Sequence, residues 1–344
     1  MPNKPFSDKQ VKLIQDNYGL NITTQELPEW KTASNNVVVL QDIKGVKYVA
    51  KKWSEEYSEE VIRSRLRLMD FIYDHGILTP KPLENISGTK LTRSNGDNYV
   101  LTTFIPGRKA DGLVLEEVAI AFSALAMFNN TLNHFPRLEE FVALPRYSEL
   151  ISVQFKNLEP FLPTQPKNEI DEYVLNNLDY VKATISEVEE KFSNIDHQKK
   201  LIHGNFNLGS TLINNSKLAG ILDYNLIRID FRGVDTMHTI DLYCFEKEKE
   251  GLKLEDRVNW EKMKKCFGVY KEHDNKIIEQ VDDMPLMLAW LGLSSLITTW
   301  GRGYLPDQTE KQREYFKNRY NFFINRTRIN LGLEQELIKA LKEA

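Results

Sequence analysis

The residues whose types and spacing could carry chemistry lie in one run, Leu201 to Asp223. It reads Leu-Ile-His-Gly-Asn-Phe-Asn-Leu-Gly-Ser-Thr-Leu-Ile, then Asn-Asn-Ser-Lys, then Leu-Ala-Gly-Ile-Leu-Asp. An apolar pair enters a polar turn holding Gly204 and Gly209, a short apolar strand leaves it, and a turn with two asparagines leads into a second strand ending on Asp223. Two short strands therefore present polar side chains at one edge. A carboxylate at such an edge is an oxygen donor suited to a hard cation. Phosphoryl transfer needs a base and two metal ligands in an arrangement of this kind. The polar side chains of this run include Asn205, an amide without useful basicity, and Ser210, a hydroxyl.

The elements that must position this edge can be read along the chain. Ser7 is placed to cap a helix with Val11, Leu13, Ile14 and Tyr18 at helical spacing, and Gly19 ends it. Val37 to Leu40 and Val46 to Trp53, around a turn at Asp42 to Gly45, predict a β-hairpin. In its second strand Lys47, Val49 and Lys51 share one face and Tyr48, Ala50 and Lys52 the other, so one lysine points at whatever the hairpin covers. Ser54 to His75 reads as a helix stopped by Gly76, and Asn98 to Phe104 as a further strand broken by Ile105-Pro106-Gly107. Helices are expected at Leu113 to Phe135 and Ile170 to Phe192, with irregular structure from Arg137 to Lys167. Beyond Asp223, helices are expected at about Thr236 to Lys249, Trp260 to Cys266, Lys276 to Thr299, Thr309 to Arg328 and Glu334 to Lys342.

Composition narrows the classes. The 344 residues allow two lobes or domains, and 27% charged with 41% hydrophobic residues is ordinary for a globular protein. A net charge of -4 gives no electrostatic case for nucleic acid as partner. The cysteines, Cys244 and Cys266, lie far apart in sequence without companions at metal-ligand spacing, and read as buried small hydrophobes. Of the histidines, His75, His134, His197, His238 and His273 form no cluster and read as surface or helix-end residues. The start of the chain lacks the apolar core of a signal peptide. The apolar run Pro285 to Trp300 falls short of the ~20 residues of a bilayer-spanning helix and is expected to be a core helix. No membrane association is expected, and the cytoplasm is the expected location.

A small β-rich lobe with a lysine on its hairpin, a long helix, a breaker, and a helical lobe containing the polar loop resemble the aminoglycoside phosphotransferase and choline kinase family, with its homoserine kinase-like and spore-coat kinase-like branches. The specific part is His203-Gly204-Asn205, then Ser210, then Ile221-Leu222-Asp223-Tyr224-Asn225, against a family loop that begins His-Gly-Asp. The resemblance implies an α+β, bilobal protein-kinase-like fold, with an N-terminal lobe over 1–105 and a mainly helical lobe over 106–344 that carries the catalytic-loop region 201–241. It implies ATP and Mg²⁺ as cofactors, with Asp223 and Ser210 at the metal-ligand positions and Asn205 at the position of the base. Lys51 would hold phosphate, with Lys52 the neighbouring alternative, and Phe104 and Ile105 would form the hinge that meets an adenine. His203 would pack the loop. Arg232 and Asp235 fit the Arg and Asp that tie the loop to a helix, with Asp241 a second candidate.

Departures from the family pattern limit the chemistry this chain can perform. A carboxylate at 205 would accept or orient the proton of an attacking hydroxyl, an effect of ~10²- to 10⁴-fold that an amide forfeits. Asn207 stands where a histidine is common. Glu59 and Glu60 are the candidates for a glutamate partner of Lys51, but lie early in their helix, with Arg63 and Arg65 in the turn beyond. The loop before Val37, Trp30 to Asn36, has no glycine to cradle phosphate. Asp282, Asp283, Trp290, Trp300, Arg302 and Tyr304 are candidate acceptor-pocket residues. The expectation is a small-molecule phosphotransferase-like protein with impaired catalysis, binding a nucleotide or metabolite and open to a protein partner. The competing expectation is an active ATP-dependent kinase acting on a hydroxyl of an aminoglycoside, amino alcohol, homoserine or sugar.

Overall fold

The computed structural model describes residues 6–28, 36–55, 57–141, 150–245, 255–306, 309–310 and 320–344. The Trp30 to Asn36 loop, except Asn36, lies outside the described residues, as does most of 309–328 before residue 320 and the end of the helix expected to reach Lys249. Two compact units emerge from the contacts: 1–142 with 206–227, and 143–205 with 228–344.

The first unit opens on α1 (Asp8–Tyr18), where Ser7 and Gln10 cap each other's backbone reciprocally and Gly19 closes the helix in a left-handed conformation. Strand β1 (Ile22–Glu26), not anticipated from its mixed polarity, lies at the edge of a five-stranded sheet beside β2 (Asn36–Asp42) and β3 (Lys47–Lys52). Helix α2 (Glu59–Asp74) is capped by the Ser58 hydroxyl, so it starts five residues later than the pattern from Ser54 suggests. The short β4 (Thr92–Ser94) and then β5 (Asp97–Thr103) complete the sheet in the order β1-β2-β3-β5-β4. Alternation divides this sheet cleanly. Val38, Leu40, Ala50, Tyr99 and Leu101 pack with Phe6 and Ile14 into a core beneath α1, while Val37, Val49, Lys51, Val100 and Thr102 face the opposite side. The two-residue β6 (Arg108–Lys109) and helix α3 (Leu115–Leu132) come next.

The chain then enters the second unit with α4 (Ile151–Leu158), a helix inside the stretch expected to be irregular. Its apolar residues Ile151, Phe155 and Leu158 bury at helical spacing despite the prolines beyond them. Helix α5 (Glu169–Ser193), capped by Asn168, leads to β7 (Lys200–Ile202). Residues 206–227 return to the first unit, where β8 (Thr211–Asn214) and β9 (Lys217–Ile221) join β6 in a three-stranded sheet. Asn215 and Ser216 both take positive φ, the requirement of the two-residue turn that joins these strands.

Back in the second unit, β10 (Arg228–Asp230) pairs with β7, and the chain continues through α6 (Arg232–Cys244), α7 (Trp260–His273), α8 (Met284–Tyr304), α9 (Tyr320–Gly332) and α10 (Glu334–Glu343). The expected helix from Lys276 is instead a 3₁₀ segment, Asn275–Gln280, and then α8. Helix α8 has 21 residues, so length does not exclude a membrane span as the sequence suggested. Its packing places it in a core: Ala289, Trp290, Leu293, Leu296, Ile297 and Trp300 bury against α4, α5 and Ile324. Trp290 stacks on Phe192 at 4.7 Å and Trp300 is buried, so these two candidate pocket residues are core. The cysteines are both buried and share a thiol hydrogen bond.

His238 departs from the helix-end reading. It sits inside α6, and burial, then the charges of Arg326, Arg228 and His203, pulls its pKa down to about 3. A folded value below the unfolded ~6.5 means that the unfolded chain takes up the proton first as pH falls. The His238 contribution to stability is therefore expected to fall between about pH 6.5 and 3, against an opposite contribution from Asp241, whose carboxyl burial pushes up to about 7, and His238→Gln to remove the first of the two in thermal unfolding.

Candidate active site

A cavity of about 350 Å³ in the first unit is walled by the outward face of the five-stranded sheet, by α2, and by the residues around β8 and β9. Register puts Lys51 between Val37 of β2 and Val100 of β5, all on the cavity side. Lys52 falls on the other face and pairs with Asp97 at 2.8 Å. The choice between the two lysines is thus made by strand alternation.

Lys51 Nζ lies 3.8 Å from the centroid of the Trp53 ring and donates a hydrogen bond to Asn225 Oδ1. Burial lowers its pKa to about 8, with the Asp223 carboxylate acting in the opposite direction. Among the described residues no glutamate lines the cavity with it. Helix α2 presents Leu66 and Met69 to the cavity. Glu59 is committed to Arg63 at 2.7 Å and Arg93 at 3.2 Å. Arg65 is fully buried, donates to the Ile227 carbonyl at 2.7 Å and lies over the Phe141 ring.

Asp223 lines the same cavity and has φ 71 and ψ 65, a left-handed conformation. The other non-glycine residues of positive φ among those described, Asn95, Asn215 and Ser216, sit in hairpin turns; Asp223 comes after β9 outside any hairpin. Such a conformation costs about 1–2 kcal/mol and is characteristic of residues held for a task. Ser210 is 1% exposed, its carbonyl accepts the Leu222 amide at 2.8 Å, and its hydroxyl has no hydrogen-bond partner among the described residues.

The turn before Ser210 is closed by Asn207, whose Oδ1 accepts the Gly209 amide at 2.8 Å. A Cβ on Gly209 would stand 2.7 Å from that oxygen, so a side chain there displaces the Asn207 amide from its bond. Ile105 lines the cavity and also a second one, which Phe104 lines with Tyr73 and Leu78, the Phe104 ring lying under Lys47.

The second unit holds the start of the loop. Gly204 has φ +80, and Asn205 is half-buried at the unit's end. His203 is buried. Asp235 on α6 accepts the His203 amide at 2.7 Å and the Gly204 amide at 2.9 and 3.1 Å. Of the two aspartates the sequence offered, Asp235 makes the tie; Asp241 pairs with Arg326. Arg232 pairs with buried Asp274 at 2.6 Å. Asp235→Ala leaves two backbone N–H groups without their acceptor, at roughly 1–3 kcal/mol each, and is expected to lower the melting temperature by several degrees in a thermal unfolding experiment.

Of the other candidate pocket residues, Asp282 and Asp283 line one cavity with Lys191, Asp196 and Glu334, where Asp282 pairs with Lys342 at 2.6 Å and Asp283 with His197 at 3.0 Å; the Tyr304 hydroxyl bonds Asp171 at 2.9 Å.

The Asp223 carboxylate suits one hard cation, and Ser210 lines the same cavity with its hydroxyl buried and unpartnered among the described residues. Carboxylate donors are few: Asp223 is the one acidic residue lining the cavity among the described residues, no three histidine, cysteine, aspartate or glutamate side chains cluster there, and the Asn225 oxygen accepts from Lys51.

Residues 28–261 match the model of the phosphotransferase enzyme family. The chain belongs to that family. Among solved structures, amicoumacin kinase hAmiN, in complex with AMP-PNP, Ca²⁺ and Ami, is similar at a TM-score of 0.68 and 16% identity, over 92% of this chain and 93% of its own. An aminoglycoside phosphotransferase from Alicyclobacillus acidocaldarius is similar at 0.66 and 14% identity, over 99% and 98%. Choline kinase from Cryptosporidium parvum is similar at 0.60 and 13% identity, over 98% and 99%. No curated protein matches the chain. The fold is therefore the α+β kinase-like fold of aminoglycoside phosphotransferases and choline kinases, as the loop spacing implied.

Proposed function

We propose that this phosphotransferase-family chain binds a nucleotide and is impaired in phosphoryl transfer, serving through what it binds. The observation that carries the first half is one cavity holding the Lys51 ammonium, the Asp223 carboxylate and apolar walls from Val37, Val49 and Ile105. An anionic ligand with a flat apolar body suits such a site. In this reading Lys51 takes phosphate oxygens, Asp223 holds a divalent cation against them with Ser210 as a weaker second donor, and the Phe104-Ile105 backbone meets the base. Residues 1–105 form the N-terminal kinase-like lobe and 106–344 the helical lobe that carries the catalytic-loop region 201–241. The AMP-PNP and Ca²⁺ present with amicoumacin kinase support this ligand class. His203, Arg232 and Asp235 hold the loop's shape.

The second half rests on chemistry. Asn205 offers no base, and Lys51 leans on an amide, Asn225, in place of a glutamate. The competing reading, an active kinase for a small hydroxyl compound, draws on the retained Lys51 and Asp223.

ATP consumption measured against amino alcohols, aminoglycosides, homoserine and sugars separates the two. The expected result is acceptor-dependent turnover at least about 10²-fold below the ordinary kinase range. A rate in the range ordinary for kinases, about 1–100 s⁻¹, overturns the impairment.

A further inference from the structure

A second lysine lines the cavity that the sequence did not single out. Strand β6 pairs with β8, Arg108 opposite Ile213 and Lys109 opposite Leu212, so its two side chains point to opposite sides. Arg108 turns outward and pairs with Glu117. Lys109 turns inward over the turn that carries Asn207, Gly209 and Ser210, and all four line the cavity. A Cβ on Gly209 would lie 3.4 Å from Lys109 Nζ and 3.8 Å from Cε, ordinary contact distances that place the ammonium directly over the turn. Neither Lys109 nor Lys51 has a carboxylate within 4.0 Å among the described residues; Asp223 acts on both from further away. Partial burial lowers the Lys109 pKa. Two ammonium groups and one carboxylate give the cavity a net positive charge before any cation enters.

We infer that Lys109 replaces a second divalent cation: its ammonium, delivered by β6 over Gly209 beside Ser210, neutralises the nucleotide's phosphate charge where, among the described residues, the cavity has a single carboxylate. This rests on the nucleotide-binding reading above. An ammonium suits the place because it brings charge and three freely rotating donors without needing a coordination shell. A hydroxyl at 210, insufficient for a divalent ion alone, is also a good neighbour for it. The consequence is a site whose affinity for nucleotide depends little on divalent metal.

Calorimetric titration with ATP and with adenosine, each in Mg²⁺ and in excess EDTA, tests this on the intact chain. Wild-type protein is expected to bind ATP in EDTA within about tenfold of its affinity in Mg²⁺, a difference under ~1.4 kcal/mol. Lys109→Met is expected to lose tenfold or more for ATP in EDTA while holding adenosine unchanged, and Lys109→Arg to retain ATP. ATP binding that vanishes in EDTA, or that Lys109→Met leaves intact, overturns the role of Lys109 and leaves nucleotide binding standing. No binding of ATP or adenosine under any condition overturns the nucleotide reading itself. The wild-type comparison needs no variant, so a misfolded substitution does not shield the inference.

Discussion

The double substitution Asn205→Asp with Ser210→Asn is expected to raise ATP turnover by about 10²- to 10⁴-fold over wild type, the range that a positioned base contributes. Asparagine and aspartate are nearly isosteric, so the first change alters proton affinity with little change of shape. The loop around it is already held by Asp235 on the His203 and Gly204 amides and by Asn207 on Gly209. The second change supplies a carbonyl oxygen, a better ligand for a hard cation than a hydroxyl. Asn205→Asp alone is expected to recover most of the gain, and Ser210→Asn alone very little. The assay is acceptor-dependent ATP consumption, with the melting temperature as a control, since residue 210 is buried. Continued silence in a variant that still binds nucleotide places a further defect at Lys51, whose partner is the Asn225 amide.

Lys51→Met is expected to move stability and binding in opposite directions. The Lys51 ammonium is desolvated without an ion-pair partner among the described residues, and its pKa falls to about 8. A folded value below the unfolded value of ~10.4 means the charge costs stability below pH 8, and the cost fades as pH rises from 8 towards the unfolded value. Removing it should leave the ligand-free melting temperature unchanged or higher near neutral pH. Affinity for ATP should fall by tenfold or more while adenosine binding persists. A variant that is less stable and binds ATP as before would assign Lys51 a packing role against Trp53. A gain in stability joined to a loss of binding is the pattern of a residue kept for its ligand.

Much of this scaffold is readable because its signals are local. The Ser7 cap and Gly19 stop, the alternation that turns Lys51 and Lys52 to opposite faces, and the spacing from His203-Gly204 to Asp223 are properties of short windows. The remainder depends on long-range register. Asn225 meets Lys51 from 174 residues away. Lys109 enters the cavity only because a two-residue strand pairs with β8, and nothing in Arg108-Lys109 tells which of the pair turns inward. Arg65 reads like a surface residue of α2, yet packing over Phe141 and a bond to the Ile227 carbonyl bury it. That burial leaves Leu66 and Met69 on the wall where an active kinase would place a glutamate. The helix at 151–158 is hidden by neighbouring prolines, and the edge strands 22–26 and 92–94 by polar composition.

The central claim, a nucleotide site retained in a chain with a defective base, is tested most directly by thermal unfolding with and without ATP and Mg²⁺. A ligand bound only by the folded state stabilises it by about 2.7 kcal/mol at a hundred times its Kd, so the melting temperature should rise by several degrees. An unchanged melting temperature at saturating nucleotide would contradict the claim.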